Sequence, residues 1–191
     1  MTDIFCIGNA LLDALQRVEG DERLQALHLQ KGAMQLIDSE KYAKISHIMN
    51  VENCEISTGG SGGNVALCSA RLGQKAFFCG KTGEDDKSAL FRSVMCRNGV
   101  MVAPLSCSLP MGVASTFITP DGQRTFATYL GAGATLHAEE LEESWFSGVR
   151  YVFVEGYLVQ DHSLIERAVD LAHAAGAEVC LDLASYNIVA A

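Results

Sequence analysis

The residues of this chain best suited to holding a small polar ligand form two clusters, each directly after a predicted strand. The first cluster follows the apolar run Ile4–Ile7 and contains Asn9 and Asp13. The second is the stretch 59–63, which has four glycines and is followed by Asn64. A turn so rich in glycine lets a ligand approach the backbone closely, and amides at a helix start are hydrogen-bond donors. Because the side chain of Asn64 both donates and accepts, the second cluster predicts a site for a polar ligand.

Asn9 and Asp13 have two interpretations. They follow the carboxyl end of a predicted strand, and in an open α/β sheet ligands bind along that edge. Alternatively, either residue is a turn or cap residue, which is a common use of Asn and Asp. The two residues by themselves leave both interpretations open.

Three nucleotide-binding motifs nearly match the chain and fail. A dinucleotide fingerprint beginning at Gly60 would need a glycine where Val65 stands. A P-loop ending in Gly80-Lys81-Thr82 would begin at Lys75, and the residues between are an apolar strand that cannot wrap a phosphate. The stretch 131–134 has the glycines of an anion-hole loop, but no acid follows them. We therefore reject a nucleotide site at all three places.

The remaining pattern alternates between strands and helices. Strands are predicted near residues 4, 54, 75, 151 and 178, and this alternation is typical of a mainly parallel, doubly wound α/β sheet. Residues 18–50 are a predicted excursion that ends in a helix over Ser39–Met49, with Ser39 as its N-cap. Residues 112–119 and 124–129 are predicted to form a hairpin. Further helices are predicted over 87–98, 139–146 and 162–175.

Composition limits the class of protein. The 191 residues are 49% hydrophobic and 19% charged, which suits a single globular domain with a real core. A net charge of −9 argues against nucleic acid or an anionic membrane as partner. The seven cysteines include no C-x-x-C pair, so we expect reduced thiols in a cytoplasmic protein. No apolar run approaches the length that crosses a membrane.

The order of glycines and polar residues resembles the first signature of the PfkB carbohydrate kinases. This ribokinase-like family includes adenosine kinase and fructokinase. The matching features are the Gly-Gly pair at 59–60, Asn64, the small residue Ala66, and glycines at 73 and 80. The segment from Gly8 to Asp13 is similar to the opening of the adenosine-kinase-like branch.

The resemblance implies a three-layer α/β/α ribokinase-like domain with a small β-rich lid. It covers residues 1–191 as the N-terminal portion of one such domain, with lid elements at about 14–37 and 112–130. It also implies substrate-binding roles for a set of residues: Asn9, Asp13, Gly59, Gly60, Asn64 and Tyr157. The carboxylate of Asp13 would accept from two vicinal sugar hydroxyls, since it offers two acceptor oxygens. Tyr157 would contact a nucleoside base, although an ordinary strand-end aromatic is an equal interpretation. A homodimer formed through the lid is a further expectation.

The reaction that the resemblance implies is phosphoryl transfer from ATP, with Mg²⁺, to a sugar or nucleoside hydroxyl. The family's catalytic base belongs to a D-T-x-G-A-G-D signature, which would lie beyond residue 191. Its lookalike at 128–134 has Ala134 in place of the acid. We therefore expect no metal ligands and no catalytic base within the chain, and no phosphoryl transfer by it alone. The alternatives are a non-catalytic sugar- or nucleoside-binding module and, with less support, a Rossmann-type oxidoreductase. Which sugar or nucleoside binds stays open.

Overall fold

The computed structural model describes residues 2–50 and 54–189. In chain order the strands are β1 Ile4–Ile7, β2 Leu11–Arg17, β3 Met34–Leu36, β4 Glu55–Gly59, β5 Ala76–Cys79, β6 Met101–Val102, β7 Gly112–Ile118, β8 Arg124–Tyr129, β9 Tyr151–Val154 and β10 Glu178–Leu181. The α-helices are α1 Glu22–Ala26, α2 Ser39–Met49, α3 Ser61–Arg71, α4 Asp86–Arg97, α5 His162–Ala174 and α6 Tyr186–Val189. Among the described residues, no helix has both the length and the apolar character needed to cross a bilayer.

The larger layer is a parallel sheet with strand order β10-β9-β1-β5-β6. Its central strand β1 sends alternate side chains to opposite faces. Phe5 packs in one apolar cluster with residues of α5, and Cys6 packs in a second cluster with residues of α3 and α4. Helices on both faces of a parallel sheet give the three-layer α/β/α architecture, and the predicted fold class is confirmed.

The second layer is a mixed sheet with strand order β3-β8-β7-β2-β4. Strand β2 pairs parallel with β7 and antiparallel with β4, and β7 and β8 form the predicted antiparallel hairpin. One face of this sheet packs on α1 and α2 through a third apolar cluster that includes Leu24, Ile45 and Phe117. The opposite face is turned toward the carboxyl edge of the parallel sheet, where a cavity lies between the two sheets.

The prediction that the strand near residue 54 belongs to the parallel sheet is wrong. That strand, β4, pairs with β2 in the mixed sheet, and Asp13 lies opposite Ser57. The burial of β4 alternates between exposed and half-buried residues until Gly59, whereas every residue of β5 is buried. Strands inside a parallel sheet are buried on both faces, so an alternating, half-exposed strand fits a sheet with one open face. Strand β2, which begins two residues after Asn9, had not been predicted.

Two local predictions are also wrong. Residues 139–146 are not one α-helix but parts of two 3₁₀ turns, Ala138–Glu140 and Glu143–Phe146. Four glutamates crowd this stretch, and like charges within a helical turn repel one another. The N-cap of α2 is Asp38, not Ser39, and its side chain accepts from the backbone N–H of Lys41. A carboxylate at this position also interacts favourably with the positive, N-terminal end of the helix dipole.

Candidate functional site

A cavity of about 280 Å³ lies between the mixed sheet and the carboxyl edge of the parallel sheet. Its size is near the lower end of the range for small-molecule sites. The polar or glycine residues that line it are Asn9, Asp13, Gly60, Ser61, Asn64, Arg124, Thr128, Glu155, Tyr157 and Gln160. The apolar ones are Leu11, Met34, Leu36, Ala114, Phe126 and Leu130. Five of the six residues predicted to bind substrate therefore line one cavity, and the sixth, Gly59, lies behind Asp13.

Asp13 is half-buried on β2, and its carboxylate accepts no hydrogen bond from any other residue that the structure describes. Burial raises the pKa of this carboxyl group, and the guanidinium of Arg124 opposes that effect. Gly59 gives the carboxylate its room, because a Cβ atom at Gly59 would be 2.7 Å from Cγ of Asp13. The requirement for glycine at position 59 is thus a matter of space.

Gly60 is required for a different reason. Its φ of +80° is a left-handed conformation that favours glycine. A Cβ atom there would also be only 2.3 Å from the carbonyl oxygen of Asn9. Gly60 is the N-cap residue of α3, so this contact fixes the start of the helix against the end of β1.

Helix α3 begins at Ser61, inside the predicted glycine turn at 59–63. Ser61, Gly62 and Gly63 form its first turn, so most of the predicted glycine turn is helical. Asn64 is the fourth residue of the helix. Its side chain is exposed toward the cavity and makes no hydrogen bond to the rest of the described chain. The amide of Asn64 is thus available to a ligand as both donor and acceptor.

Glu155 is a site residue that sequence analysis missed. It follows β9 directly, is 1% exposed, and both of its carboxylate oxygens are hydrogen-bonded. Oε1 accepts from Nδ2 of Asn9 at 2.8 Å, and Oε2 accepts from the backbone N–H of Gly62 at 2.9 Å. Burial raises the pKa of this carboxyl group, hydrogen bonds from Gly62 and Asn9 oppose that rise, and nearby Asp182 adds to it. An acid placed immediately after the apolar run 151–154 was the signal available in the sequence.

A second carboxylate lies at the N-terminus of α3. Ser61 donates from Oγ to Oδ2 of Asp182 at 2.6 Å, and the backbone N–H of Ala184 donates to Oδ1 of the same carboxylate. With Glu155 on one amide of the first turn and Asp182 beside it, acidic groups already surround the start of the helix. A phosphate group would be repelled here, so this helix start suits a neutral ligand rather than a nucleotide phosphate.

The rejected nucleotide motifs have structural uses. Lys81 donates from Nζ to Oε1 of Glu140 at 2.6 Å and to the carbonyl oxygen of Thr135 at 3.1 Å. These contacts fasten the loop 131–140 to the end of β5. Residues Gly131–Thr135 form a 3₁₀ turn in which Gly133 lies beside Asn9. No group of three His, Cys, Asp or Glu residues within 2–50 and 54–189 is placed to hold a metal ion.

The wall formed by β8 presents alternate residues to the cavity. Arg124, Phe126 and Thr128 face it, while Thr125 and Ala127 between them are buried. The guanidinium carbon of Arg124 lies 5.5 Å from the ring centroid of Phe126. Tyr157, in the 3₁₀ turn Gly156–Gln160, lines the same cavity. The cavity therefore combines two carboxylates and three amide side chains with an apolar and aromatic wall.

Comparisons with known proteins show which sequences and folds this chain resembles. The family model for "pfkB family carbohydrate kinase" matches residues 1–189. The aminoimidazole riboside kinase of Salmonella typhimurium is 37% identical over 97 residues, which are 46% of this chain and 30% of that protein. The crystal structure of adenosine kinase from Sinorhizobium meliloti superposes with a TM-score of 0.91 at 30% identity, covering 99% of this chain and 58% of the other. A probable sugar kinase protein from Rhizobium etli CFN 42 gives the same TM-score of 0.91 at 30% identity, covering 100% of this chain and 59% of the other. The chain thus spans less than two thirds of the length of each of these proteins.

Proposed function

The chain belongs to the pfkB family of carbohydrate kinases, and from this we propose that it supplies the acceptor-binding half of a sugar or nucleoside kinase. The observation that carries the proposal is the carboxylate of Asp13, which lies half-buried in the cavity with no partner among the described residues. Leaving such an acceptor without a hydrogen bond costs free energy that a ligand with hydroxyl donors would recover. Vicinal hydroxyls of a sugar or ribose are the matching donors, since the carboxylate can accept from both.

The other cavity residues take roles that fit the same ligand. Asn64 would donate to and accept from the sugar, and Gly60 would let the sugar approach the backbone at the start of α3. Phe126 and Tyr157 would contact the flat face of a base if the ligand is a nucleoside. Met34 lies opposite Phe126 in the pairing of β3 with β8, and Leu36 lines the cavity as well. Because these residues add apolar surface next to Phe126, we favour a nucleoside over a free sugar.

ATP and Mg²⁺ are the co-substrate and metal that family membership implies, and they would supply the phosphoryl group and neutralise its charge. The cavity residues do not fit a nucleotide phosphate, because Glu155 and Asp182 flank the helix start that would face it. In the proposed division of labour, the cavity holds and orients the acceptor hydroxyl, and ATP binds elsewhere in the enzyme. A cytoplasmic location and a homodimer formed through the lid stay predictions.

Calorimetric titration tests the proposal. We expect adenosine to bind more tightly than ribose or fructose, and 2′-deoxyadenosine to bind about tenfold or more weakly, because it lacks one hydroxyl of the vicinal pair. The deoxy compound is the matched control, since it differs by one oxygen atom. An ADP-release assay with ATP and Mg²⁺ should show no turnover by residues 1–191, whose only lookalike of the catalytic signature has Ala134 in place of the acid. Absence of binding by every ribose-containing ligand and every sugar would overturn the proposal, and turnover would show that the base lies within these residues.

A further inference from the structure

The buried hydrogen bonds around Glu155 fix the orientation of the Asn9 amide. Glu155 is 1% exposed and Asn9 is 3% exposed. One carboxylate oxygen accepts from the Asn9 side chain and the other from the Gly62 backbone. An ionised carboxylate can only accept, so the atom of Asn9 that faces it must be the nitrogen Nδ2.

The oxygen Oδ1 of Asn9 is consequently the atom left over. It receives no hydrogen bond from the described part of the chain, and Asn9 lines the cavity. Gly133 lies beside it without a side chain, and a Cβ atom there would be 3.3 Å from Oδ1. The cavity thus offers an amide acceptor at Asn9 in addition to the carboxylate acceptor at Asp13.

We infer that Glu155 is a positioning residue that turns Oδ1 of Asn9 toward the cavity, so that the site requires a second donor group, a hydroxyl or an amine, on the acceptor substrate. This inference rests on the proposed function, since it concerns the same cavity. Glu155 acts through Asn9 in this arrangement, since its two oxygens accept from the Asn9 side chain and from the backbone of Gly62. Two acceptor groups of the protein that face one ligand select for molecules rich in hydroxyls and against their O-methylated counterparts.

The inference makes specific predictions for two nearly isosteric changes and for their combination. In Glu155→Gln, the side-chain oxygen keeps the bond from Gly62, and the new NH₂ group faces Asn9. Asn9 must then turn its oxygen toward residue 155 and present its own NH₂ to the cavity, which is the wrong polarity for a donor. In Asn9→Asp, two carboxylates face each other and repel. The double variant N9D/E155Q restores the pattern, since Asp accepts from the NH₂ of Gln and presents its second oxygen to the cavity.

The experiment measures the affinity of wild type, E155Q, N9D and N9D/E155Q for adenosine by calorimetry, with unfolding in urea as the check on folding. We expect adenosine to bind E155Q about 10- to 100-fold more weakly and N9D at least as weakly, while the double variant recovers to within about threefold of wild type. Glu166→Gln is the matched control, because Glu166 is exposed on α5 away from the cavity. It should bind as wild type does. The urea midpoints separate this result from a purely structural role, in which affinity would change only together with stability.

Three outcomes would overturn the inference. E155Q could bind as wild type does, or the folded double variant could bind no better than E155Q. The third outcome does not depend on a ligand: in NMR spectra, the side-chain NH₂ signals of Asn9, identified by their loss in N9D, could be the same in wild type and E155Q. If wild type binds no ligand, the proposed function fails, and the NMR comparison still decides whether Glu155 orients Asn9. If E155Q does not fold, a double variant that folds and binds more tightly than N9D supports the inference, and one that does not overturns it.

Discussion

The cavity has two walls of opposite character. The inner wall, made of Asn9 and Glu155, is buried, and both carboxylate oxygens of Glu155 are bonded within the protein, one of them by the backbone of Gly62 behind the wall. The open wall, made of Asp13, Asn64 and Arg124, is half-buried or exposed, and its side chains make no hydrogen bonds within the part of the chain that the structure describes. Both walls contain a carboxylate and an amide, so composition does not distinguish them. What distinguishes them is that the protein bonds the carboxylate of the inner wall, whereas no described residue bonds that of the open wall.

From this difference we expect the inner wall to contribute mainly to the stability of the fold and the open wall mainly to ligand affinity. On the inner wall, removing a partner leaves a buried polar group unsatisfied, so changes there should cost stability first. On the open wall, the protein already bears the cost of an unbonded carboxylate, which appears as the raised pKa of Asp13. Changes there should cost affinity and leave stability unchanged or improved.

The largest effect is expected from Gly60→Ala, where the two walls meet. The new methyl group would take a left-handed φ and would lie 2.3 Å from the carbonyl oxygen of Asn9. We expect a loss of about 2 to 5 kcal/mol in the free energy of unfolding, measured in urea. Gly99→Ala is the matched control, because Gly99 has a φ of +83° but no atom within 4 Å of a Cβ position. If both variants lost the same amount, backbone conformation alone would explain Gly60, and the close approach to Asn9 would have no importance.

The next effect is on the open wall. Asp13→Asn keeps the shape of the side chain and removes its charge, and no protein hydrogen bond is lost among the described residues. We expect adenosine affinity to fall about 10- to 100-fold while the urea midpoint at neutral pH stays the same or rises, because a partly buried charge has been removed. Asp38→Asn serves as control, since Asp38 caps α2 and Asn is an equally good cap. A D13N protein that is clearly less stable than wild type would place Asp13 with the structural residues.

The smallest effect is a gradual dependence on pH. The pKa values of Asp13 and Glu155 are both raised, so the stabilising effect of their protonation is present below the usual carboxyl range and is lost as pH rises through the raised values. Affinity runs the other way, because the charged forms accept from the ligand and from Asn9. The charged groups that face them are Arg124 beside Asp13 and Asp182 beside Glu155. We therefore expect acceptor affinity to weaken on acidification, beginning above the pH at which an exposed carboxyl titrates.

Comparison with D13N assigns the pH effect. The difference in unfolding free energy between D13N and wild type should be largest near neutral pH. It should shrink to nothing at about pH 3, where Asp13 is protonated in both the folded and unfolded states. A difference that stays constant with pH would mean that the charge of Asp13 is not what the substitution changes.

Much of this arrangement was predictable because its signals are local. A buried strand followed by Asn9 and Asp13, and a glycine run followed by Asn64, mark chain segments that end at a sheet edge. The helices predicted over 87–98 and 162–175 agree with α4 and α5 to within one residue at each end, and the caps Asp85 and Asp161 accept from backbone amides three residues later. Such signals span only a few residues and do not depend on the rest of the fold.

What sequence reasoning missed depends on contacts between distant segments. Glu155 is 146 residues from Asn9, so its partner could not be inferred from spacing. The assignment of β4 to the wrong sheet has the same origin, since strand pairing is decided by which faces are buried after the chain has folded. Beside the repulsion among its glutamates, the helix predicted over 139–146 is opposed by the bond between Glu140 and Lys81, a residue far away in the sequence. In each case a long-range contact overruled a reasonable local pattern.

The fit of Asp13 against Gly59 has an evolutionary consequence. A side chain at position 59 would occupy the space of the carboxylate at position 13, because the gap between a Cβ atom there and Cγ of Asp13 is only 2.7 Å. Substitution at one position therefore changes the selection that acts on the other. A descendant that abandons this carboxylate for a smaller side chain is released from the requirement for glycine at 59, and a descendant that keeps it is not. We expect the two positions to be inherited as a pair, so that a sequence with any residue other than glycine at 59 has also lost the acid at 13.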